Sequence, residues 1–204
     1  MARISKKPEE RRAELVDAAR RLFSAEGYGT VSVSRIVGEL ALAQGTFYYY
    51  FSSKEEILDA VVDDYVGALE RRFTEIESAP SLGPRGAFER MVRAEMGFDA
   101  ERTRELFAIQ GVDMHTRIFS RILLGLAPRY LSIIERGIAA GDFKTQVPDL
   151  IAETIVLHVH FLFDRDVLGW SQAEYDRRLK ASADLLEVLL ELPLGSFDFR
   201  TPPL

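Results

Sequence analysis

Apolar residues near the start of the chain recur at the spacing of one helix face. Between Pro8 and Glu26 they follow i, i+3, i+4 and i+7 intervals at Ala13, Leu15, Val16, Ala19, Leu22 and Phe23. Pro8 suits the first turn of a helix, and Gly27 suits the left-handed residue that follows a last turn. The pattern therefore predicts a first helix from Pro8 to Glu26.

Two short helical segments and a long one follow. Ser32 can cap a helix that runs to about Leu40, and a third helix begins near Gln44. The residues 52–54 interrupt the periodicity, which resumes over 54–77. The first part of the chain therefore predicts two short helices joined by a three-residue turn and followed by a long helix.

Beyond a turn-rich segment at 78–84, the remaining periodicity is also helical. Pro128 is expected to start a new helix, because proline disrupts a helix interior. The tail from Pro193 is expected to be irregular, and no convincing strand alternation occurs, so the sequence predicts an all-α fold. The helical patterns cover residues 85–98, 101–113, 116–140, 149–168 and 171–191.

Composition and charge narrow the possible functions. The 204 residues are 47% hydrophobic and 28% charged, as in ordinary globular proteins, and the absence of cysteine excludes disulfides and thiolate chemistry. With no apolar run of about 18 residues and no signal-peptide pattern, we expect a cytoplasmic protein that does not contact membranes. Residues 1–54 hold nine Lys and Arg against six Asp and Glu, whereas the rest hold 17 against 26. This asymmetry favours a nucleic-acid-binding N-terminal end.

Five consecutive aromatic residues, at positions 47–51, cannot all face one core. Successive helical residues point about 100° apart, which places Phe47 and Phe51 on the inner face and Tyr49 opposite them. Tyr48 and Tyr50 fall on the two flanks. The same projection places Gly45 and Thr46 outward and Gln44 near the inner face.

The two short helices have the spacing of a helix-turn-helix motif, whose second helix enters the major groove of DNA. A tyrosine on a flank of that helix can cover the core edge with its ring and bind a phosphate with its hydroxyl. The alternative is that the tyrosines form a protein interface or the core periphery. The helix-turn-helix spacing favours the DNA-binding interpretation.

Four motifs resemble the tetracycline-repressor (TetR) family of bacterial regulators. They are Leu22-Phe23-Ser24-Ala25-Glu26-Gly27-Tyr28, Ser32-Val33-Ser34-Arg35-Ile36-Val37, Gly45-Thr46-Phe47-Tyr48-Tyr49-Tyr50-Phe51 and Lys54-Glu55-Glu56-Ile57-Leu58. The resemblance implies a homodimer whose N-terminal three-helix domain, residues 1–54, binds a palindromic DNA operator. It also implies a helical effector-binding and dimerisation domain over 55–204, in which a small molecule shifts the separation of the DNA-binding domains.

The resemblance also implies which residues meet DNA. It makes Gln44 and Tyr49 base readers, since Gln can pair with adenine and a tyrosine ring can pack on a thymine methyl. Gly45 allows close approach to the groove, and Ser34 is a further contact. The implied phosphate contacts are Thr46, Tyr48, Tyr50 and Lys54.

The turn departs from the family pattern. The family usually has Ala-Gly-Val-Ser there, and this chain has Leu40-Ala41-Leu42-Ala43. If the turn is kept, Ala41 must adopt the left-handed conformation, which costs about 1–2 kcal/mol. Ala43 replaces a capping serine worth about 0.5–2 kcal/mol.

Large apolar residues in the second part of the chain serve either as core or as walls of an effector pocket, since pockets in helical bundles lie between helices. No cluster of charges identifies the effector, which we expect to be a small apolar or amphipathic molecule. The candidate pocket residues are Phe88, Met91, Phe107, Met114, Phe119, His158 and Phe161.

His158 and His160 invite a metal-site interpretation, but residues two apart on a helix point about 200° apart. His160 shares a face with Asp164, and we expect a paired interior histidine there. The sequence contains no nucleophile elbow, phosphate loop or HExxH zinc pair. We therefore predict no metal, no cofactor and no enzymatic activity.

The last two helices, about 149–168 and 171–191, are rich in Leu, Ile, Val and Phe, and the apolar band from Leu179 to Leu192 is wide for a helix with one buried face. This favours a four-helix homodimer interface, with a central core helix as the alternative. We predict a dimeric, ligand-responsive repressor. The rivals are a helical ligand-binding or enzymatic protein without operator binding, and an activator on the same architecture.

Overall fold

The computed structural model describes residues 7–96, 112–162 and 169–199, and within these ranges all regular secondary structure is helical. The predicted all-α fold is confirmed. The predicted segment 101–113 lies mostly outside the described residues. The helices are α1 Pro8–Glu26, α2 Val33–Glu39, α3 Gln44–Tyr50, α4 Lys54–Glu77, α5 Pro84–Met96, α6 Val112–Ala140, α7 Pro148–Leu162 and α8 Gln172–Leu189.

The chain divides into two compact units. The first comprises Met1–Tyr65 and Ala100–Arg121, and the second comprises Val66–Asp99 and Ile122–Leu204. The expected domain boundary after Lys54 falls inside the first unit, since the first turns of α4 bury Ile57 and Leu58. Helices α4 and α6 each contribute residues to both units.

The core of the first unit forms from the apolar face that the periodicity predicts for α1. Leu15 and Phe23 are fully buried, and the predicted ends at Pro8 and Gly27 are confirmed, with Gly27 at φ 83°. Ala13 is exposed, so the buried face is narrower than the sequence pattern indicated. This core is the surface on which α2 and α3 rest.

Pro128 does not start a helix, contrary to the prediction. It lies inside α6, which runs without interruption from Val112 to Ala140. Proline lacks the N–H that would bond to the carbonyl of Leu124, but both residues are exposed. Water can bind the freed carbonyl, so the helix continues through the proline.

Five aromatic rings form the centre of the second unit. Tyr130 has its ring centroid 5.4 Å from that of Phe73 and 6.1 Å from that of Phe88. Phe88 is also 5.4 Å from Phe143 and from Phe197. Edge-on and tilted ring pairs of this kind stabilise a core beyond simple burial of area.

A buried polar cluster lies at the edge of this aromatic core. The Glu95 carboxylate is 2.8 Å from His160 Nε2 and accepts a hydrogen bond from the hydroxyl of Tyr130. The prediction that His160 is a paired interior histidine is confirmed. Its partner is Glu95 on α5. Asp164, which shares a face with His160 in the sequence pattern, lies outside the described residues. A buried carboxylate needs such partners, because an unpaired charge in the core is strongly destabilising.

The described part of the C-terminal tail, residues 193–199, is irregular, as predicted, but it belongs to the core. Phe197 and Phe199 are buried, and the backbone N–H groups of Gly195 and Phe197 donate to the buried Glu187 carboxylate at 2.8 and 2.6 Å. Arg85 on α5 donates to the carbonyl of Ser196 at 2.8 Å. The tail therefore holds α5 and α8 together.

Gly137 permits the closest approach in the second unit. A Cβ built on Gly137 would lie 2.1 Å from the Phe143 ring. We expect Gly137→Ala to lower the free energy of unfolding by about 1–3 kcal/mol, because the ring must move in a close-packed core. Urea unfolding followed by circular dichroism measures this change.

Gly38→Ala is the matched control, since a Cβ on Gly38 meets nothing within 4 Å. It should leave the free energy of unfolding unchanged or raise it by up to about 1 kcal/mol through helix propensity. Equal effects of the two substitutions would contradict the packing argument.

Candidate nucleic-acid interface

The first short helix, α2, and the turn after it position the second short helix, α3. Ser32 caps α2 as predicted, its hydroxyl accepting from the N–H of Arg35 at 3.1 Å. In the turn, the N–H of Leu42 donates to the carbonyl of Val37 at 2.9 Å. Ala41 has φ 52°, so the predicted left-handed alanine is confirmed. The turn geometry survives without a glycine.

The rotation of α3 agrees with the helical projection for the aromatic residues. Phe47 and Phe51 are buried, while Tyr49 is 76% exposed and Tyr48 is 55% exposed. Tyr50 is half-buried. The three tyrosines therefore spread across the exposed face and flanks of α3, as predicted.

Ring contacts hold two of these tyrosines in place. Tyr48 packs edge-on against Phe47, with centroids 5.4 Å apart, and Tyr49 packs edge-on against Tyr50 at 4.8 Å. An exposed ring that already contacts a neighbour loses less conformational freedom on binding. The aromatic surface is thus ordered before any partner arrives.

The N-terminal turn of α3 is open to solvent. Gln44 is exposed, which corrects the projection that put it near the inner face; the first residue of a helix has no preceding turn to cover it. Gly45 is also exposed, and a Cβ there would meet nothing within 4 Å, so packing does not require glycine. Ser34 is exposed and Thr46 is half-buried. Ala43 makes no side-chain cap, as predicted.

The resemblance implied that Lys54 contacts a phosphate, but the ammonium of Lys54 is hydrogen-bonded within the domain. Its ammonium donates to the carbonyls of Tyr28 at 2.8 Å and Val31 at 3.0 Å, and it lies 4.2 Å from the centroid of the Tyr28 ring. Burial, and a hydrogen bond to Glu55, raise the pKa of Tyr28. Lys54 thus ties the segment after α1 to the start of α4.

The predicted effector residues belong to both units or lie outside the described side chains. Phe88 and Met91 are fully buried in the second unit, whereas Phe119 is half-buried in the first. Phe107 lies outside the described residues, as do the side chains of Met114 and Phe161, although both belong to helices.

His158 joins α7 to α8. Its Nε2 is 2.5 Å from the Ser182 hydroxyl, which itself donates to the carbonyl of Arg178 at 2.7 Å. Because the hydroxyl has one hydrogen, Ser182 accepts from a protonated Nε2. Burial lowers the pKa of His158.

A groove of about 560 Å³ in the second unit includes none of the predicted effector residues. It is lined by Gly67 and by five polar or charged residues, Glu70, Arg71, Thr74, Glu75 and Arg129. Within the described residues, no three His, Asp or Glu side chains are grouped as a metal site would require. None of the described helices has the length and apolar character needed to cross a membrane.

Residues 15–61 match the family of bacterial regulatory proteins of the tetR type. This match covers α1 from Leu15 onward, the helix-turn-helix and the first turns of α4. This segment of the chain belongs to the TetR family. Its predicted family membership is therefore confirmed.

Similar proteins support the assignment over more of the chain. The transcriptional regulator SrpR of Pseudomonas putida is 28% identical over 144 residues, which are 69% of this chain and 65% of SrpR. The match thus spans slightly less than two thirds of that relative. SrpR is named as a regulator and not as an enzyme, in agreement with the prediction of no enzymatic activity.

Solved structures share the fold at low sequence identity. A tetR-family regulatory protein from Rhodococcus RHA1 superposes with a TM-score of 0.62 and 23% identity, covering 93% of this chain and 99% of that one. RolR in complex with resorcinol superposes with a TM-score of 0.61 and 19% identity, covering 92% and 90%. These likenesses show that the chain shares its helical fold with these proteins beyond the helix-turn-helix.

The strained turn at Ala41 gives a stability prediction. Ala41→Gly should raise the free energy of unfolding by about 0.5–1 kcal/mol, because relief of left-handed strain exceeds the extra entropy of glycine in the unfolded chain. Chemical denaturation of the purified protein measures the difference.

Ala13→Gly serves as the control, since Ala13 is exposed within α1. There the same substitution should lower the free energy of unfolding by about 1 kcal/mol. Two losses of similar size would show that Ala41 is not strained.

Proposed function

We propose that this protein is a dimeric, ligand-responsive repressor that binds a palindromic DNA operator and is released by a small apolar or amphipathic effector. The observation that carries the proposal is the orientation of α3. Phe47 and Phe51 hold it to the domain while Gln44, Gly45 and Tyr49 face solvent. A helix presented in this way suits the major groove, which admits a single α-helix.

The proposed contacts divide into two kinds. Gln44 and Tyr49 read base edges, and Gly45 allows close approach. Ser34, Thr46, Tyr48 and Tyr50 bind the DNA backbone, which positions the helix without reading sequence. Lys54 contributes chiefly by fixing the start of α4, because two carbonyls already accept from its ammonium.

Tyr49 provides the test of base reading. Against a duplex selected by the wild-type protein from a random-sequence library, Tyr49→Ala should weaken binding by about 1–3 kcal/mol, roughly 5- to 150-fold. Replacing thymines of that duplex by deoxyuridine, which lacks the methyl group, should weaken the wild type and leave the variant unchanged. Fluorescence anisotropy with labelled duplexes measures both effects.

Tyr48→Phe is the matched control, because it removes only a hydroxyl. It should weaken binding to the selected duplex and to unrelated duplexes by the same factor. The proposal fails if the wild type shows no preference for any sequence. The role of Tyr49 as a base reader is contradicted if replacing thymine by deoxyuridine weakens DNA binding by the wild type and by Tyr49→Ala equally.

Exposed apolar side chains on α7 and α8 support dimerisation. Leu150 and Leu157 lie seven residues apart on α7, and Leu185 and Val188 lie three apart on α8. His158 on α7 contacts Ser182 on α8. Leu157 precedes His158, and Leu185 is one turn beyond Ser182, so the exposed apolar residues of both helices lie near this contact. An apolar surface beside a junction of two helices is suited to a second copy, since soluble monomers rarely expose such patches.

The double variant Leu157→Glu with Val188→Glu should dissociate the dimer, because it would bury four unpaired charges across a two-fold interface. Light scattering after size-exclusion chromatography should change from the mass of a dimer to that of a monomer. Leu124→Glu is the control, since Leu124 is 75% exposed on α6. A double variant that keeps the wild-type mass would contradict this interface.

The proposed effector-binding site lies in the second unit. Phe88 and Met91 belong to its apolar interior, and RolR, which has a similar fold, is a complex with the small aromatic molecule resorcinol. An effector acts by binding the DNA-competent and DNA-incompetent states with different affinity. The rival is a helical ligand-binding or enzymatic protein without operator binding, which would show no sequence-selective, salt-dependent DNA affinity.

A further inference from the structure

The helix-turn-helix has little positive charge to offer DNA. From Val33 to Tyr50 the sequence contains one basic residue, Arg35. Its guanidinium is 2.8 Å from the carboxylate of Glu26 and 2.8 Å from that of Glu39. Since most DNA affinity comes from neutralised phosphates, other elements of the domain must supply cations.

Helix α1 contributes four arginines to the first unit, but three of them are engaged in ion pairs. Arg11 pairs with Glu14, and Arg20 and Arg21 both pair with Asp17. Arg12 is exposed and makes no ion pair with any residue that the structure describes. Lys7, at the N-cap of the same helix, is exposed as well.

Arg12, unlike Lys7, has a described contact with α3, the helix that is proposed to enter the major groove. The guanidinium carbon of Arg12 lies 4.9 Å from the ring centroid of Phe51, the C-cap residue of α3. Phe51 is buried, its N–H donates to the carbonyl of Phe47 at 2.9 Å, and the two rings lie 5.7 Å apart. Arg12 is therefore held at the C-terminal end of α3.

The contact with the Phe51 ring leaves the guanidinium of Arg12 able to bind an anion. A guanidinium over an aromatic ring keeps its N–H edge directed away from the face that it covers, and that edge matches the oxygens of a phosphate. The nearby Glu56 does not occupy this edge, since its carboxylate accepts from the N–H and hydroxyl of Ser52, both at 2.6 Å. These hydrogen bonds lower the pKa of Glu56, with Arg12 adding a through-space effect.

We propose that Arg12 contacts a DNA backbone phosphate beside the recognition helix, so that the DNA-binding surface extends from α3 onto α1. The inference rests on the proposed operator binding. It assigns Arg12 a positioning role without base reading, because phosphate contacts fix register and orientation.

Salt dependence of DNA binding tests the proposal. Arg12→Gln should weaken binding to the selected duplex and to a random-sequence duplex of equal length by the same factor. The slope of log Kobs against log salt, measured from roughly 50 to 200 mM KCl, should become shallower by about 0.9 per Arg12 lost, or about 1.8 for a dimer on two half-sites. Arg12→Lys should recover most of the slope, since it keeps the charge.

Arg21→Gln is the matched control, because it removes the same charge from the same helix at a residue paired with Asp17. It should leave the slope within error of the wild type. Thermal melting of each variant separates lost phosphate contacts from unfolding, and a folded Arg12→Gln protein with the wild-type slope would overturn the inference. Equal slope losses for both variants would also overturn it. A wild type with no salt-dependent DNA binding would reject the proposed function itself.

Discussion

The burial of Phe47 and Phe51 fixes how α3 is turned about its axis. A helix of seven residues has little stability of its own, so its orientation comes from the rings that it buries in the first unit. With both rings inside, the spacing of the helix leaves Tyr48 and Tyr49 outward. The proposed DNA contacts depend on this one packing interaction, because every exposed group on α3 is positioned relative to those two rings.

The same packing explains why a weakened turn is tolerated. Ala41 takes a left-handed conformation and Ala43 supplies no cap, so the local sequence favours the motif less than a glycine and a serine would. Phe47 and the capped helix α2 compensate for this through burial and the Ser32 hydrogen bond. The turn is therefore a place where tertiary packing overrides local preference.

The charged side chains of the first unit lie outside α3. The aromatic surface of α3 provides shape and hydroxyl groups, while Arg35 and Lys54 are used within the domain. In the proposed complex with DNA, this arrangement would separate the groups that read sequence from those that supply salt-dependent affinity. In the second unit, Glu95, Tyr130 and His160 form a polar cluster inside an aromatic core, where partners must be specific because burial of an unpaired charge is costly.

The sequence by itself determined the helices of the N-terminal part, because caps, glycines and the 3.6-residue period act over a few neighbouring positions. It also predicted the buried and exposed sides of α3 and the left-handed Ala41. Tertiary structure decided what depends on distant residues: the passage of α6 through Pro128, the pairing of His160 with Glu95, the burial of Phe197, and the use of the Lys54 ammonium by the carbonyls of Tyr28 and Val31. Periodicity carries no information about which side chains meet across the fold, since those contacts are set by packing between elements far apart in the chain.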